Sequence, residues 1–242
     1  MEVTGPVKAT LTSTTLAQLD GGRLNNARRE QRNITMKLGL ETDWATNSVA
    51  GLRRQLYKWF SPKAPVIFGL YEDGAPFATA EAVVESCDPD MFSADPEMDI
   101  SLICEDPDFY GDTTAIAGMT VSDESTQEIV YDGSTDAGVV FSMTFVENAT
   151  SIILYNTRPD KNIQVLNLEG AFSTGDILLI SSVPGQKAAK LTSSGLPKSI
   201  LSYLHTRSDW ISLQPGSNLL RVYYNGTQTP FTLEYTNKYG GF

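Results

Sequence analysis

Basic side chains are missing from the middle of this 242-residue chain. Residues 64–157 contain no lysine or arginine, although they hold 19 of the 29 aspartates and glutamates. Ten of the 18 basic residues precede this segment and eight follow it. Proteins bind nucleic acid by pairing lysine and arginine with phosphate groups, so this segment excludes that mode of binding. The arginines near residue 30 are interleaved with polar rather than aromatic residues, and the sequence therefore predicts no nucleic-acid-binding module.

Histidine and cysteine are scarce as well. His205 is the sole histidine, and Cys87 and Cys104 are the two cysteines, which gives no zinc-binding pattern. The sequence has no glycine-rich phosphate loop and no HExxH or GxSxG motif. We therefore expect no metal, no cofactor and no enzymatic activity, and we interpret His205 as a surface or packing residue. Acid pairs for glycoside hydrolysis stay open, because so many carboxylates offer many pairs.

Long apolar runs are also absent. No stretch reaches about 18 apolar residues, so we expect no membrane insertion. The first residues, MEVTGPVKATLTS, lack the basic start and the apolar core of a signal peptide. We therefore expect both cysteines to be reduced and partly buried, and the sequence leaves a disulfide between adjacent strands open.

Most of the chain alternates apolar and polar residues with a period of two, which is typical of strands with one buried face. The pattern is clearest near the C-terminus, where Phe231, Leu233 and Tyr235 alternate with polar residues. Short strands divided by Gly, Asp, Asn and Pro fill the second half of the chain and predict a β-sandwich. A short helix is expected within residues 198–204.

One longer helix is predicted at residues 47–60. Val49, Leu52, Leu56 and Trp59 recur at spacings of three and four residues, which places them on one helix face. A Thr-Asn-Ser sequence can cap the start of the helix, and a Ser-Pro pair ends it.

A β-hairpin is predicted at residues 66–87. Its turn is Glu72-Asp73-Gly74, and Asp-Gly is a strong hairpin signal. A further strand, MDISLIC, follows and ends at an Asp-Pro pair.

Several segments resemble the distal tail proteins of long-tailed bacteriophages. The closing segment matches the family's x-W-x-x-L-x-P-G-x-N turn at Trp210, Leu213, Pro215, Gly216 and Asn218. Residues 100–110 match the pattern I-S-L-x-C-x-D-P-x-F-Y, residues 32–38 match early strands of the family, and residues 172–182 match a strand element of its second domain.

The resemblance implies a mainly β fold with two domains. A β-rich belt domain with one α-helix is expected at residues 1–115, and a galectin-like β-sandwich at residues 116–242. The family's role implies a structural virion protein that forms a homo-hexameric ring at the tail tip. The implied partners are the tail tube protein, the tail hub or tail-associated protein, and fibre or receptor-binding proteins, with DNA passing transiently through the lumen. Assembly is expected in the host cytoplasm.

The uneven charge has two interpretations. In the first, the acids form a solvated surface that keeps the protein soluble. In the second, basic residues of one subunit bind acidic residues of the next subunit in a ring, and the remaining acids line its lumen. The candidate interface bases are Arg28, Arg29, Arg32, Arg53, Arg54 and Lys58. The candidate interface or lumen acids are Asp88, Asp90, Asp95, Glu97, Asp99 and Glu105. These acids lack the spacing of an EF-hand loop and predict no calcium site.

The alternative function is carbohydrate binding by the C-terminal sandwich, as a contribution to adsorption at the host surface. Trp210, Tyr223 and Tyr224 are the candidate residues for stacking on a sugar ring. Exposed aromatic side chains would favour this function, and buried ones would count against it.

Overall fold

The chain forms two compact units in this computed structural model, which describes residues 7–15, 20–43, 45–90 and 95–241. The first unit comprises residues 1–110 together with residues 239–242, and the second comprises residues 111–238. The division after residue 110 lies close to the boundary expected after residue 115. The last residues group with the first unit, whereas the sequence assigned them to the second domain.

The first unit is built from strands and one helix. Its elements are β1 (Ala9–Thr15), β2 (Gly22–Arg29), β3 (Arg32–Gly39), α1 (Val49–Trp59), β4 (Pro65–Glu72), β5 (Ala75–Asp90), β6 (Glu97–Cys104) and the start of β7 (Phe109–Met119).

Strands β4, β5, β6 and β3 are antiparallel neighbours in that order. The order follows from the register, because Val83 of β5 pairs with Pro65 of β4 and with Ile103 of β6, while β6 pairs with β3. Alternate residues of β5 and β6 are buried, so one sheet face is apolar and the other is polar. The apolar face forms the core of the unit with Ile34, Ala78, Ala80, Ala82, Val84, Cys87, Met98, Ile100, Leu102, Cys104 and Phe109.

The β4–β5 hairpin is present with the turn that the sequence predicts. Asp73 and Gly74 both have positive φ angles, of 50° and 82°. Two such residues in succession are typical of the type I′ turn, whose twist matches that of the flanking strands.

Helix α1 begins after Ser48, whose Oγ accepts a hydrogen bond from the Gly51 amide at 3.2 Å. Leu56 is buried, but Trp59 is 58% exposed. The prediction that Trp59 belongs to the buried stripe is therefore wrong. The chain leaves the helix at Phe60, and Phe60 packs against the core instead.

The second unit consists almost entirely of strands. After the remainder of β7, its elements are β8 (Gln127–Tyr131), β9 (Ala137–Thr144), β10 (Ala149–Thr157), β11 (Ile163–Phe172), β12 (Ile177–Ser181), β13 (Ala188–Ser193), β14 (Leu196–Ser199), a 3-10 turn (Leu201–Tyr203), β15 (Ser212–Leu213), β16 (Gly216–Tyr224) and β17 (Pro230–Tyr239).

Two sheets of the second unit enclose one core. One sheet has the order β11-β10-β16-β8, and in the other β14, β13, β12, β9 and β17 are successive neighbours. Side chains of both sheets enter the same buried cluster, among them Leu154, Val222, Phe141, Leu178 and Leu233. The mainly β fold with a C-terminal sandwich is therefore confirmed, and the alternation of apolar residues explains it.

The helix expected within residues 198–204 is shorter than predicted. Residues 196–199 pair with β13 as β14, so only Leu201–Tyr203 form a helical turn. A tight turn at Ser194 and Gly195, both with positive φ, connects β13 to β14. Because this turn reverses the chain, the residues that follow it lie beside β13 and pair with it as a strand.

Candidate functional surfaces

Arg29, the last residue of β2, forms an ion pair inside the first unit. It donates two hydrogen bonds to the Asp108 carboxylate, with Nη1–Oδ1 at 2.5 Å and Nη2–Oδ2 at 2.8 Å. Asp108 is 2% exposed. The hydrogen bond to Asp108 raises the pKa of Arg29. Paired bonds between a planar guanidinium and a carboxylate are among the strongest charged contacts in proteins.

Arg32, at the start of β3, is buried beside the same segment. Its Nε donates to the Pro107 carbonyl at 2.8 Å, and its Nη2 donates to the Gly240 carbonyl at 2.7 Å. Its guanidinium carbon lies 4.3 Å from the centre of the Phe109 ring. Burial lowers the pKa of Arg32.

The prediction that Arg32 is an interface residue is wrong, because Arg32 is 4% exposed. Arg29 is bonded to Asp108, but 40% of its side chain is exposed, so its role at an interface stays a prediction. Both arginines fix the D-P-x-F-Y segment that ends the first unit. The hydroxyl of Tyr110 donates to Asp106 in the same segment, and burial together with this hydrogen bond raises the pKa of Tyr110.

The other predicted interface bases lie at the surface. Arg28 on β2 is exposed, as are Arg54 and Lys58 on α1, while Arg53 is half-buried. These four residues remain interface candidates.

An acidic surface covers the polar side of strands β5 and β6. We call it the acidic face and define it by Glu81, Glu85, Asp88, Asp90, Glu97 and Asp99. Residues between them, such as Ala82 and Met98, are buried, so alternation turns the carboxylates outward. The strand register places Asp88 opposite Asp99 and Asp90 opposite Glu97. Like charges that face each other across strands are destabilising.

Lys37 of β3 partly neutralises the acidic face. Its Nζ lies 3.1 Å from Glu97, 3.9 Å from Asp99 and 4.0 Å from Asp90. The hydrogen bond to Glu97, followed by the charge of Asp99, raises the pKa of Lys37. Sequence reasoning missed Lys37. The alternation of β3 turns it outward, but the pairing of β3 with β6 is not visible in the sequence.

The structure therefore gathers four of the six predicted acids, Asp88, Asp90, Glu97 and Asp99, on one face. Asp95 and Glu105 are exposed beyond the two ends of β6. Among the described residues, no group of His, Cys, Asp and Glu is arranged to hold a metal ion. Nor has any helix in the described ranges the length and apolar character needed to cross a membrane.

The candidate stacking residues occupy three different environments. Tyr224 is 1% exposed, and its hydroxyl donates to the Glu147 carbonyl at 3.2 Å, so its proposed role in stacking on sugars is wrong. It belongs to the buried side of β16, with Leu220 and Val222. Trp210 is half-buried against the core of the second unit.

Tyr223 lies on the outward side of β16, next to a stacked pair that the sequence did not suggest. The guanidinium carbon of Arg221 lies 4.1 Å from the centre of the Tyr155 ring, and the two residues are direct partners across β10 and β16. Tyr223 is the partner of Ile153 in the same register. We call this set, Tyr155, Arg221, Tyr223 and Ile153, the aromatic face.

The closing sequence motif encodes a turn in the second unit. Asn218 is fully buried, and its Nδ2 donates to the carbonyls of Gln214 and Gly216 at 2.7 and 3.0 Å. Its Oδ1 accepts from the Gln214 amide at 3.0 Å. Gly216 has a φ of 102°, a conformation that favours glycine. The glycine and asparagine of the motif thus shape and stabilise the backbone of the turn.

Comparison with known proteins gives a family match for part of the chain. Residues 132–239 match the family of the siphovirus-type tail component, C-terminal domain. No curated protein sequence matches the chain significantly.

Solved structures resemble the chain as well, among them a crystal structure and a phage baseplate. The crystal structure of the SPP1 Dit (gp 19.1) protein aligns with a TM-score of 0.67 and 18% identity, over 98% of this chain and 90% of that one. A chain of the phage P2 baseplate in its activated conformation aligns at 10% identity over 98% of this chain and 89% of that one. Its TM-score of 0.49 adds nothing to the fold assignment.

In sequence, residues 132–239 are similar to the C-terminal domain of siphovirus-type tail components, and in fold nearly the whole chain is similar to SPP1 Dit. The resemblance to the distal tail protein family is confirmed to that extent.

Proposed function

We propose that this protein assembles as a homo-hexameric ring at the tail tip of a siphovirus-type phage. The observation that carries the proposal is the fold shared with SPP1 Dit, which is described as a paradigm of the hub adsorption apparatus in phages that infect Gram-positive bacteria. The first unit acts as the belt that closes the ring, and the second is a galectin-like sandwich. The ring joins the tail tube protein to the hub and to fibre or receptor-binding proteins. It is assembled in the host cytoplasm and catalyses no reaction.

Electron cryo-microscopy of purified virions tests this proposal, with an antibody against the second unit to locate the protein. We expect labelling at the tail tip and a six-fold ring of this chain at that position. A position elsewhere on the virion, or a single unsymmetrical copy, would contradict the proposal.

DNA passes through the lumen of the ring in this proposal. Acids that are not covered by a neighbouring subunit line the passage and keep the phosphate backbone from adhering, because like charges repel. Asp95 and Glu105, exposed beyond the ends of β6, are the candidates. Replacing both by lysine should slow DNA ejection in a dye-release assay, and unchanged kinetics would remove this role.

Carbohydrate binding by the second unit is the second candidate function. The aromatic face favours it, because Tyr155 and Tyr223 present rings on an outward sheet surface beside Arg221. A glycan array probed with the isolated protein tests this function. We expect binding that a Tyr223→Ala variant loses and that a Trp59→Ala variant, altered at an exposed aromatic residue of the first unit, retains.

A further inference from the structure

Strands β1 and β2 form a two-stranded sheet that is exposed on both sides. Every residue of both strands is exposed, including Leu11 at 63% and Leu24 at 57%. A two-stranded hairpin is only marginally stable in water without a surface to pack on. We call this pair of strands the N-terminal hairpin.

The two sides of the N-terminal hairpin differ in chemistry. Cross-strand partners share a side, and the register pairs Thr10 with Arg28, Thr12 with Asn26 and Thr14 with Arg23. This side is therefore polar and basic. The opposite side carries Leu11 and Leu24.

The base of the N-terminal hairpin is fixed to the rest of the first unit. Arg29, its last residue, holds the buried Asp108 through two hydrogen bonds. Arg23 and Arg28, in contrast, form no ion pair within the described part of the chain. The hairpin is thus presented from an anchored base with two cationic side chains available.

The acidic face has complementary properties. It carries six carboxylates, with Lys37 as the basic residue that touches them. Exposed apolar side chains border it on the same sheet surface, with Ile67 74% and Val83 38% exposed. Within one copy, the hairpin is exposed, as are four of the six acids of the acidic face, Glu81, Glu85, Asp88 and Asp99.

We propose that the N-terminal hairpin of one copy docks on the acidic face of a second copy, with Arg23 and Arg28 paired to carboxylates of that face. This inference rests on the proposed ring and names the contact that closes it. The two surfaces are different parts of one chain, so the contact is head-to-tail. A head-to-tail contact closes into a ring when its rotation permits, whereas a self-complementary contact stops at a dimer.

Paired charge reversals test the docking. Sedimentation velocity and negative-stain microscopy of the full chain would compare Arg23→Glu/Arg28→Glu, Asp88→Lys/Asp99→Lys and the chain that carries all four changes. We expect each double variant to require roughly tenfold or more protein for half-assembly. The variant with all four substitutions should regain assembly, because an acidic hairpin then meets a more basic sheet face and opposite charges are paired again. Circular dichroism checks that each variant is folded, and the altered residues are exposed.

Two further variants separate this contact from its competitors. Arg54→Glu/Lys58→Glu reverses bases on α1, and Leu11→Ser/Leu24→Ser alters the apolar side of the hairpin. If either abolishes assembly while the hairpin reversal leaves it intact, the docking inference is overturned. The ring itself would then stand. If the unaltered chain forms no ring in solution or on purified tails, the proposed function fails instead.

Discussion

Asn218 closes the turn before β16 with a side chain that water cannot reach. Its amide makes three hydrogen bonds to backbone groups of Gln214 and Gly216. We expect Asn218→Ala to lower the free energy of unfolding by about 2–3 kcal/mol, because the turn loses three hydrogen bonds from a buried side chain to the backbone of Gln214 and Gly216. Chemical denaturation measures the change, and Asn225→Ala, at an exposed asparagine of the same unit, is the control. An equal effect of the two substitutions would contradict this account.

The Arg29–Asp108 pair supports the first unit in a comparable way. Arg29→Met leaves the buried Asp108 carboxylate without its main partner, and we expect a loss of about 3 kcal/mol. Arg29→Met/Asp108→Leu should cost less than Arg29→Met alone, since no unpaired charge remains. Arg28→Met, at the neighbouring exposed arginine, is the matched control for thermal unfolding. If Arg29→Met/Asp108→Leu is less stable than Arg29→Met, an unpaired charge on Asp108 does not explain the loss of stability.

Single residues also show where sequence reasoning stops. The partners of Arg29 and Arg32 lie 79 and 208 residues away, so neither arginine could be recognised as internal from its neighbours. Tyr224 is different, because the alternation that predicts a buried side for β16 already includes it. Local pattern was sufficient to exclude Tyr224 from a sugar-binding role.

At the scale of elements, local signals predicted the β4–β5 hairpin and the start of α1. Both depend on short-range chemistry: the Asp73-Gly74 turn and the Ser48 cap. The exposure of Trp59 depends on which residues pack against the end of α1 in the folded chain, and the periodicity of the sequence does not give those contacts. The acidic face likewise needs the pairing of β5 with β6, which joins residues from separate strands.

Lys37 moderates the repulsion within the acidic face. We expect Lys37→Gln to lower thermal stability, because Asp90, Glu97 and Asp99 lose their shared cation. The difference from the unaltered chain should shrink as ionic strength rises from roughly 10 mM to 1 M, since salt screens exposed charges. Lys63→Gln, at an exposed lysine of the same unit, is the control. A salt-independent difference would indicate a packing role for Lys37.

At the scale of the whole molecule, the C-terminal residues complete the first unit. The Gly240 carbonyl accepts a hydrogen bond from Arg32, and the Tyr239 ring lies 4.9 Å from that of Phe77. We expect removal of residues 239–242 to raise amide exchange in β3 and β5. Exchange in β12 and β13, which belong to the second unit, should stay unchanged. Equal changes in both sets of strands would show that residues 239–242 stabilise both units and not the first unit alone.

The assignment of residues 239–242 was beyond sequence reasoning for the same physical reason as the arginine contacts. β17 reads as a strand of the sandwich throughout, and nothing local marks the point where its last residue changes unit. The β-sandwich itself was predictable, because its strands repeat one apolar pattern.

The first unit takes its residues from two stretches of the chain that the second unit separates, which sets an order on folding during translation. The second unit is one continuous segment, so all of its strands can pair without residues from elsewhere in the chain. The Arg32 side chain, in contrast, has no Gly240 carbonyl to bind until the whole second unit has been synthesised. The first unit therefore cannot reach its final set of contacts before the second unit has been made.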